Sequence, residues 1–483
     1  MAIESLPPCQ NTHQAEWRRL AAAIHERRVA LTRFGSGLCA SGVAQLLGAA
    51  QAFALVPLFL SAWGPDTYGA WVTVTAAVSY LLLMEGGGQN YFANGLGVAF
   101  ARGDRSGFVR LLSEAVSLYA VLGVTAACCA IGILGAYRLG LIRVGGGWRL
   151  EVGCILAIHF LGLHIPRGVY STVYRASRMF SVSAYLHNAF LITSTVLQAV
   201  VLLWKGRPVH VAIAMLLSNV IIWLWMIFDS RRRIPWCRDI QISLGHARQG
   251  LRHLRSSLGF WAISLAQTLS GPGMVLVLAS REPARLVGLF ATHRTLSSIA
   301  SFVPSLIQAP VQPELTFLHG SQRSKELRLY SGWLVRGVTI LTGLVAFFVL
   351  VTARVVYPAW SKGKYELHSG LLILLLVQGI LAAGSSACTW PMMSANQHGV
   401  LVPWSIAQAV TSVVLCALIL PRYGLMAPAI AGCATQFVLG WMINPLYASR
   451  FLEVPTRTMV RKMAEVTLGA LGLVAMAAVL SRQ

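Results

Sequence analysis

The residues best suited to chemistry in this sequence form a polar row inside an apolar segment, residues 286–318. At 100° per residue of an α-helix, its members all project within about 40° of one direction; they are Arg294, Ser298, Ser301, Ser305, Gln308 and Gln312. A guanidinium beside hydroxyls and amides can give charge-assisted hydrogen bonds to phosphate and neutral ones to sugar hydroxyls. The alternative is that these residues only hydrogen-bond neighbouring helices.

The apolar segments around this row indicate that the protein lies in a membrane. Hydrophobic residues make up 56% of the 483 positions and charged residues only 11%, and about 20 apolar residues let a helix cross a bilayer. Twelve such stretches lie between residues 36 and 448, and a weaker one runs over 463–480. The sequence therefore predicts an all-α polytopic membrane protein with about 12 transmembrane helices, or 13 to 14 if the carboxyl-terminal segment also crosses.

The connectors divide this succession into two halves. The longest basic connector separates six predicted spans from six, which predicts two pseudo-symmetric six-helix bundles around a central cavity. We expect a basic amphipathic amino-terminal segment at 1–35, a first bundle at 36–229, a basic linker at 230–257, a second bundle at 258–450 and a carboxyl-terminal segment at 451–483. A merely solvated tail or loop remains an alternative for the first segment and for the linker.

The formal charge of +23 is concentrated in the connectors and not on one face, so nucleic acid is not an expected partner. With the amino terminus in the cytoplasm, 25 of the 39 Lys and Arg lie in or beside inner connectors and 12 in or beside outer ones. Cytoplasmic connectors normally carry this excess. We therefore expect a multi-pass protein with a cytoplasmic amino terminus. The histidines and cysteines show no metal-type spacing, and no metal is predicted.

The halves also share interruptions and isolated polar residues. Gly86, Gly87 and Gly88 interrupt the long second span, and Pro304 lies at the aligned depth of the eighth. Pro272 lies between two glycines in the seventh span. Interrupted helices in repeated halves are typical of transporters that alternate between two states. We interpret these positions as hinges; a tolerated kink is the alternative for Pro272.

Further polar residues within spans are candidate site residues. Glu85 shares a helical side with Thr75, and an intramembrane carboxylate is a functional candidate by default. It could be a countercharge for an arginine or a coupling group, or it could merely reach the cytoplasmic interface. Gln45 and Gln267, at matching positions of the first and seventh spans, are weaker candidates for substrate binding, because glutamine often joins helices.

Several motifs near the first two spans carry a resemblance. A proline-containing segment at 56–60 ends the first span and a turn follows at 63–71; an acidic glycine run at 85–88 and a basic connector at 101–104 come next. The pattern resembles the polysaccharide flippases of the multidrug/oligosaccharidyl-lipid/polysaccharide (MOP) exporter superfamily. It covers roughly residues 35–110 plus the layout of the spans. The family commonly has an aspartate where this chain has Glu85.

The resemblance implies a bacterial inner-membrane flippase for undecaprenyl-diphosphate-linked repeat units of O-antigen or exopolysaccharide. Its implied partners are this lipid carrier, membrane lipids, a polysaccharide polymerase and a chain-length regulator. No enzymatic activity and no cofactor are expected, although a proton or sodium gradient could drive transport. In this interpretation Arg294 contacts the diphosphate or acidic sugars, and the serines and glutamines contact sugar hydroxyls.

Two other functions remain open from the sequence. A multidrug or metabolite antiporter of the same fold would carry cations, which favour a cavity rich in carboxylates. A membrane polymerase or glycosyltransferase would need an external catalytic region, and the outer connectors are short.

Overall fold

The regular structure of the described residues is entirely helical. A computed structural model describes residues 10–81, 88–138, 147–163, 166–177, 179–254, 258–320, 322–395 and 397–481, and for 10–41 it describes the backbone only. In chain order the helices are α1 Gln10–Leu81, α2 Gly88–Ala101, α3 Arg105–Arg138, α4 Gly147–Leu163, α5 Arg167–Ala176, α6 Phe180–Leu203, α7 Pro208–Arg233, α8 Leu244–Leu254, α9 Leu258–Thr268, α10 Met274–Ala279, α11 Ala284–Gly320, α12 Ser324–Trp360, α13 Ser369–Ser394, α14 Val402–Tyr423, α15 Ala427–Thr435, α16 Met442–Phe451 and α17 Thr456–Leu480.

Ten stretches of the described residues are long and apolar enough to cross a membrane. Two of them, Gly42–Tyr80 and Gly399–Phe451, are 39 and 53 residues long, and each contains a turn at a glycine with positive φ. Gly64 has φ 76° and Gly424 has φ 47°, a backbone region that glycine enters without steric cost. Shorter apolar helices at Tyr91–Ala101 and Ser264–Ala279 complete the set. The predicted all-helical membrane fold is confirmed.

The last helix, α17, packs against the ninth predicted span, α12. A Cβ added to Gly343 would lie 2.7 Å from the Cβ of Ala470, so the two helices touch at small residues. Small residues at such contacts let helix backbones approach closely in lipid. The predicted thirteenth apolar segment is therefore a helix joined to the second half.

The two halves meet tightly at one end of the molecule, near the turn at Gly64 and the connectors at 280–283 and 361–368; we call this the closed end. The Tyr365 hydroxyl donates to the Pro65 carbonyl at 3.0 Å, and the Trp360 indole donates to the Phe53 carbonyl at 2.7 Å. The rings of Phe53 and Trp360 stack at 4.6 Å. One buried apolar cluster draws on both halves here, from Leu55 in α1 to Ala477 in α17.

At the opposite end, which carries the linker and which we call the linker end, the halves pack separately. One buried cluster takes residues from Phe92 to Cys237, all in the first half and the start of the linker. Another takes residues from Val311 to Met463, all after the linker. Among the described residues, the buried clusters of the two halves are therefore joined at the closed end and separate at the linker end.

Part of the linker is a helix, α8, which packs on α3. Ala247 of α8 is buried, and a Cβ on Gly250 would lie 2.8 Å from the Glu114 carbonyl oxygen of α3. Leu244 and Leu251 are 79% and 56% exposed on another side of α8. Exposed leucines on a basic helix are typical of a helix that lies on a membrane surface.

The predicted interruptions have different outcomes. Pro272 lies in a π-helical turn, Leu269–Gly273, between α9 and α10. Pro304, by contrast, lies within the continuous helix α11, and its role as a hinge stays a prediction. A proline in a membrane helix removes one backbone hydrogen bond, and neighbouring groups can compensate for that loss. Gly86 and Gly87 lie outside the described residues, and Gly88 begins α2.

The contact at Gly69 predicts a measurable effect of one methyl group. A Cβ there would lie 1.7 Å from the Ala284 carbonyl oxygen, and backbone cannot move aside as a side chain can. Gly69→Ala should destabilise the protein by about 1–3 kcal/mol, the usual cost of overpacking. Thermal unfolding of the purified protein measures this. The control is Gly48→Ala in the same helix, where a Cβ meets nothing within 4 Å; equal stability of the two variants would contradict the prediction.

Candidate functional site

A cavity of about 310 Å³ lies within the second half and contains the charged end of the predicted polar row. The π-helical turn, α10, α11, α13 and α15 form its walls. Its lining residues are Ser270, Gly271, Met274, Phe290, Arg294, Ser297, Ser298, Ser301, Leu375, Gln378, Gly379, Ala382 and Pro428. All belong to the second bundle, so this cavity is a recess of that bundle.

Arg294 is the charged group of this cavity. Its side chain is solvent-exposed although helices surround it, because it borders the cavity. No ion pair within the described residues includes it, and no carboxylate lines the cavity. An arginine at membrane depth is costly unless it faces water or an opposite charge. Among the described residues, the cavity therefore has a cation without a paired carboxylate.

Two glycines make room for the polar groups on α11. A Cβ on Gly271, in the π-helical turn, would lie 3.0 Å from the Nη2 of Arg294. A Cβ on Gly379 of α13 would lie 3.1 Å from the Oγ of Ser301. Both distances are shorter than ordinary carbon contacts, so larger residues would displace these groups. The absence of side chains at 271 and 379 therefore helps to define the cavity.

Two serines of α11 donate their hydroxyl hydrogen bonds to carbonyls of the same helix, and their oxygens can still accept hydrogen bonds. Ser297 Oγ donates to the Arg294 carbonyl at 3.0 Å, and Ser298 Oγ donates to the Thr295 carbonyl at 2.6 Å. A hydroxyl that donates in this way still has lone pairs that can accept from a ligand hydroxyl. The cavity therefore combines one positive charge with several neutral hydrogen-bonding groups.

A second polar group lies beside the cavity, between α13, α14 and the twelfth span. Gln408 donates to Gln436 at 2.7 Å, and Gln436 donates to the Ser385 hydroxyl at 2.7 Å. Gln436 begins another π-helical segment, Gln436–Trp441, and such segments often occur at functional sites. These bonds satisfy the amides within the membrane and join three spans.

The cavity contains part of the predicted site. Arg294, Ser298 and Ser301 line it, whereas Ser305, Gln308 and Gln312 continue along α11 outside its lining. Gln45 and Gln267 are exposed and Thr75 is half-buried; none of these lines the cavity. The Thr75 hydroxyl donates to the carbonyls of its own helix at Trp71 and Val72, both at 3.0 Å.

The predicted carboxylate cannot be placed in this arrangement. Glu85 lies outside the described residues, so its role as countercharge or coupling group stays a prediction. Among the residues that the structure does describe, no group of three or more His, Cys, Asp and Glu is placed to hold a metal ion.

Sequence reasoning missed several lining residues, above all Gln378 and Ser270. Gln378 is the single amide in the apolar stretch at 371–383, a weak signal that such residues share with ordinary helix contacts. Ser270 and Gly271 lie next to Pro272, and their proximity to a predicted break was the available clue.

Comparison with known proteins identifies the fold. No family model and no curated protein matches the chain. Solved structures do match: the inward-facing form of a multidrug resistance MATE family transporter of the MOP superfamily has a TM-score of 0.64 at 16% identity, covering 85% of this chain and 95% of that one. The chain has the fold of MOP-superfamily transporters.

Two further solved structures are similar to this chain. The outward-facing form of a multidrug resistance MATE family transporter has a TM-score of 0.56 at 16% identity, covering 88% of this chain and 97% of that chain. A MATE structure in complex with MaD3S has a TM-score of 0.57 at 16% identity, covering 88% and 96%.

The position of Gly271 generates a prediction about the guanidinium. Gly271→Ala should leave the fold intact, because Arg294 is flexible, but should displace its guanidinium from the cavity wall. We expect weaker binding of an anionic ligand such as pyrophosphate, measured by calorimetry on purified protein. The matched control is Gly337→Ala in the same half, where a Cβ meets nothing within 4 Å. Unchanged pyrophosphate affinity in Gly271→Ala would contradict this geometry.

Proposed function

We propose that this protein is an alternating-access flippase that moves undecaprenyl-diphosphate-linked oligosaccharide repeat units across the bacterial inner membrane. The fold supports transport between two states. The observation that carries the choice of substrate is Arg294, which faces a cavity without a carboxylate among its lining residues. A phosphate group of the substrate would supply the missing negative charge.

The cavity chemistry suits the polar headgroup of such a lipid. The guanidinium can hold a phosphate through paired, charge-assisted hydrogen bonds, while Ser298, Ser301 and Gln378 can bond neutral hydroxyls. A volume of about 310 Å³ is at the lower end for small-molecule sites, which are about 300–1,000 Å³. It can therefore take a diphosphate or one sugar, and the remaining sugars would occupy the gap between the halves at the linker end.

The direction of transport follows from the placement of the linker. If residues 230–257 are cytoplasmic, as their basic charge favours, the separated end opens to the cytoplasm. The described state would then load substrate from the side on which lipid-linked sugars are assembled. Closure of the linker end and separation of the closed end would release it, with Pro272 as a proposed hinge. A polymerase and a chain-length regulator are proposed partners for the product.

A multidrug antiporter is the second candidate, and the structural neighbours favour it. Those neighbours include multidrug resistance transporters. At 16% identity this likeness concerns the fold and not the substrate. A site for drug cations normally attracts them with carboxylates, whereas the described cavity lining carries an arginine. This charge is the reason for placing the flippase first.

The decisive test removes the charge of the cavity. Arg294→Ala should abolish export of surface polysaccharide at an unchanged protein level, because truncating one partner of a buried charge pair costs about 2–5 kcal/mol, or at least about 30-fold in affinity. Surface polysaccharide in a strain that depends on this gene measures export. Arg285→Ala is the control, since Arg285 is exposed at the start of the same helix.

The same strains distinguish the two candidates. If Arg294→Ala left polysaccharide export intact but changed resistance to cationic drugs, the antiporter would replace the flippase. If the variant changed neither property, Arg294 would not be part of the substrate site.

A further inference from the structure

A second cavity, of about 160 Å³, lies at the linker end between the ninth span and the carboxyl-terminal helix. The first turns of α12, the turn after α16 and the first turns of α17 enclose it. Its lining residues are Arg328, Leu329, Gly332, Val335, Arg336, Leu452, Val454, Thr458, Met459, Lys462 and Met463. It is separate from the cavity around Arg294 and shares no lining residue with it.

The polar side of this cavity is strongly basic. Arg328, Arg336 and Lys462 converge on it from two helices. One carboxylate, Glu453, pairs with the Nη2 of Arg328, while the Nε of Arg328 is buried without a hydrogen-bond partner. Three cations against one carboxylate leave two positive charges for a ligand.

The other side is apolar and open to the membrane. Leu329 lines the cavity and is 68% exposed, and Trp333, one turn further along α12, is 69% exposed. The guanidinium carbon of Arg336 lies 6.0 Å from the Trp333 ring centroid. Tryptophan with arginine is typical of the boundary between headgroups and hydrocarbon.

Helix lengths place the basic groups at that boundary. From Arg336 to the end of α12 at Trp360 the helix rises about 36 Å, and a hydrocarbon core is about 30 Å thick. From Lys462 to the end of α17 at Leu480 the rise is about 27 Å. Both side chains therefore lie near one edge of the hydrocarbon core, where lipid phosphates are found.

We propose that this cavity binds the phosphate headgroup of an anionic phospholipid. Arg336 and Lys462 hold the phosphate, the Thr458 hydroxyl completes its hydrogen bonds, and an acyl chain extends over Leu329 and Met459. The lipid bridges α12 and α17, so it fastens the carboxyl-terminal helix to the bundle. This site is independent of the transported substrate.

The test uses full-length protein, delipidated in detergent and examined by native mass spectrometry with added lipid. Wild type should retain phosphatidylglycerol, and the double variant Arg336→Gln/Lys462→Gln should bind it about 30-fold more weakly, the factor that two basic contacts supply at a membrane surface. The matched control is Arg457→Gln/Arg461→Gln, which removes two exposed charges from the same helix end but outside the cavity lining; it should bind like wild type.

Three outcomes would overturn the proposal. Equal loss of phosphatidylglycerol in both double variants would show general surface attraction. Equal retention of phosphatidylglycerol and phosphatidylethanolamine by wild type would show that the lipid's net charge is not recognised. Displacement of phosphatidylglycerol by an equal concentration of pyrophosphate would assign the cavity to free phosphates and not to lipid.

Discussion

A single guanidinium without a partner among the described residues, enclosed within a membrane protein, constrains the rest of this structure. Arg294 could not remain charged against hydrocarbon, so the helices around it must keep a polar space open. The π-helical turn at Leu269–Gly273 and the glycine at 379 provide that space. The serines of α11 and Gln378 make it suitable for a hydroxylated ligand. Its charge, more than the fold, is the basis for the proposed substrate.

The cavity also depends on local departures from regular helix. A π-helical turn widens the helix and leaves part of the backbone without its usual bonds, which ordinary packing alone would not favour. At the seventh span this turn carries Gly271 to the guanidinium. At the twelfth span the π-helical segment begins with Gln436, whose side chain bonds Gln408 and Ser385. Both irregular segments therefore place polar groups of the second half.

Much of the architecture could be predicted because each helix that crosses a lipid bilayer needs a long apolar segment. Segment length alone gave the spans, and helical periodicity placed Arg294, Ser298 and Ser301 on one side of α11. The sequence could not predict which residues of the polar row line the cavity, because this depends on which helices approach α11. The continuity of α11 through Pro304 has a similar origin, since surrounding helices decide whether a proline interrupts. Gln378 was missed because one glutamine in an apolar segment has the same signal whether it bonds a ligand or another helix.

The contact between Gly69 and Ala284 has a mechanical consequence. Side chains can change rotamer and let an interface loosen by degrees, but two backbones in contact have no such freedom. Opening at this place must therefore separate the helices as whole units. At intermediate distances the two helices would lose their packing contacts while the space between them stayed too narrow for water. A backbone contact of this kind is either closed or open. A ligand that favours one of these two arrangements would therefore convert the molecule between two discrete shapes.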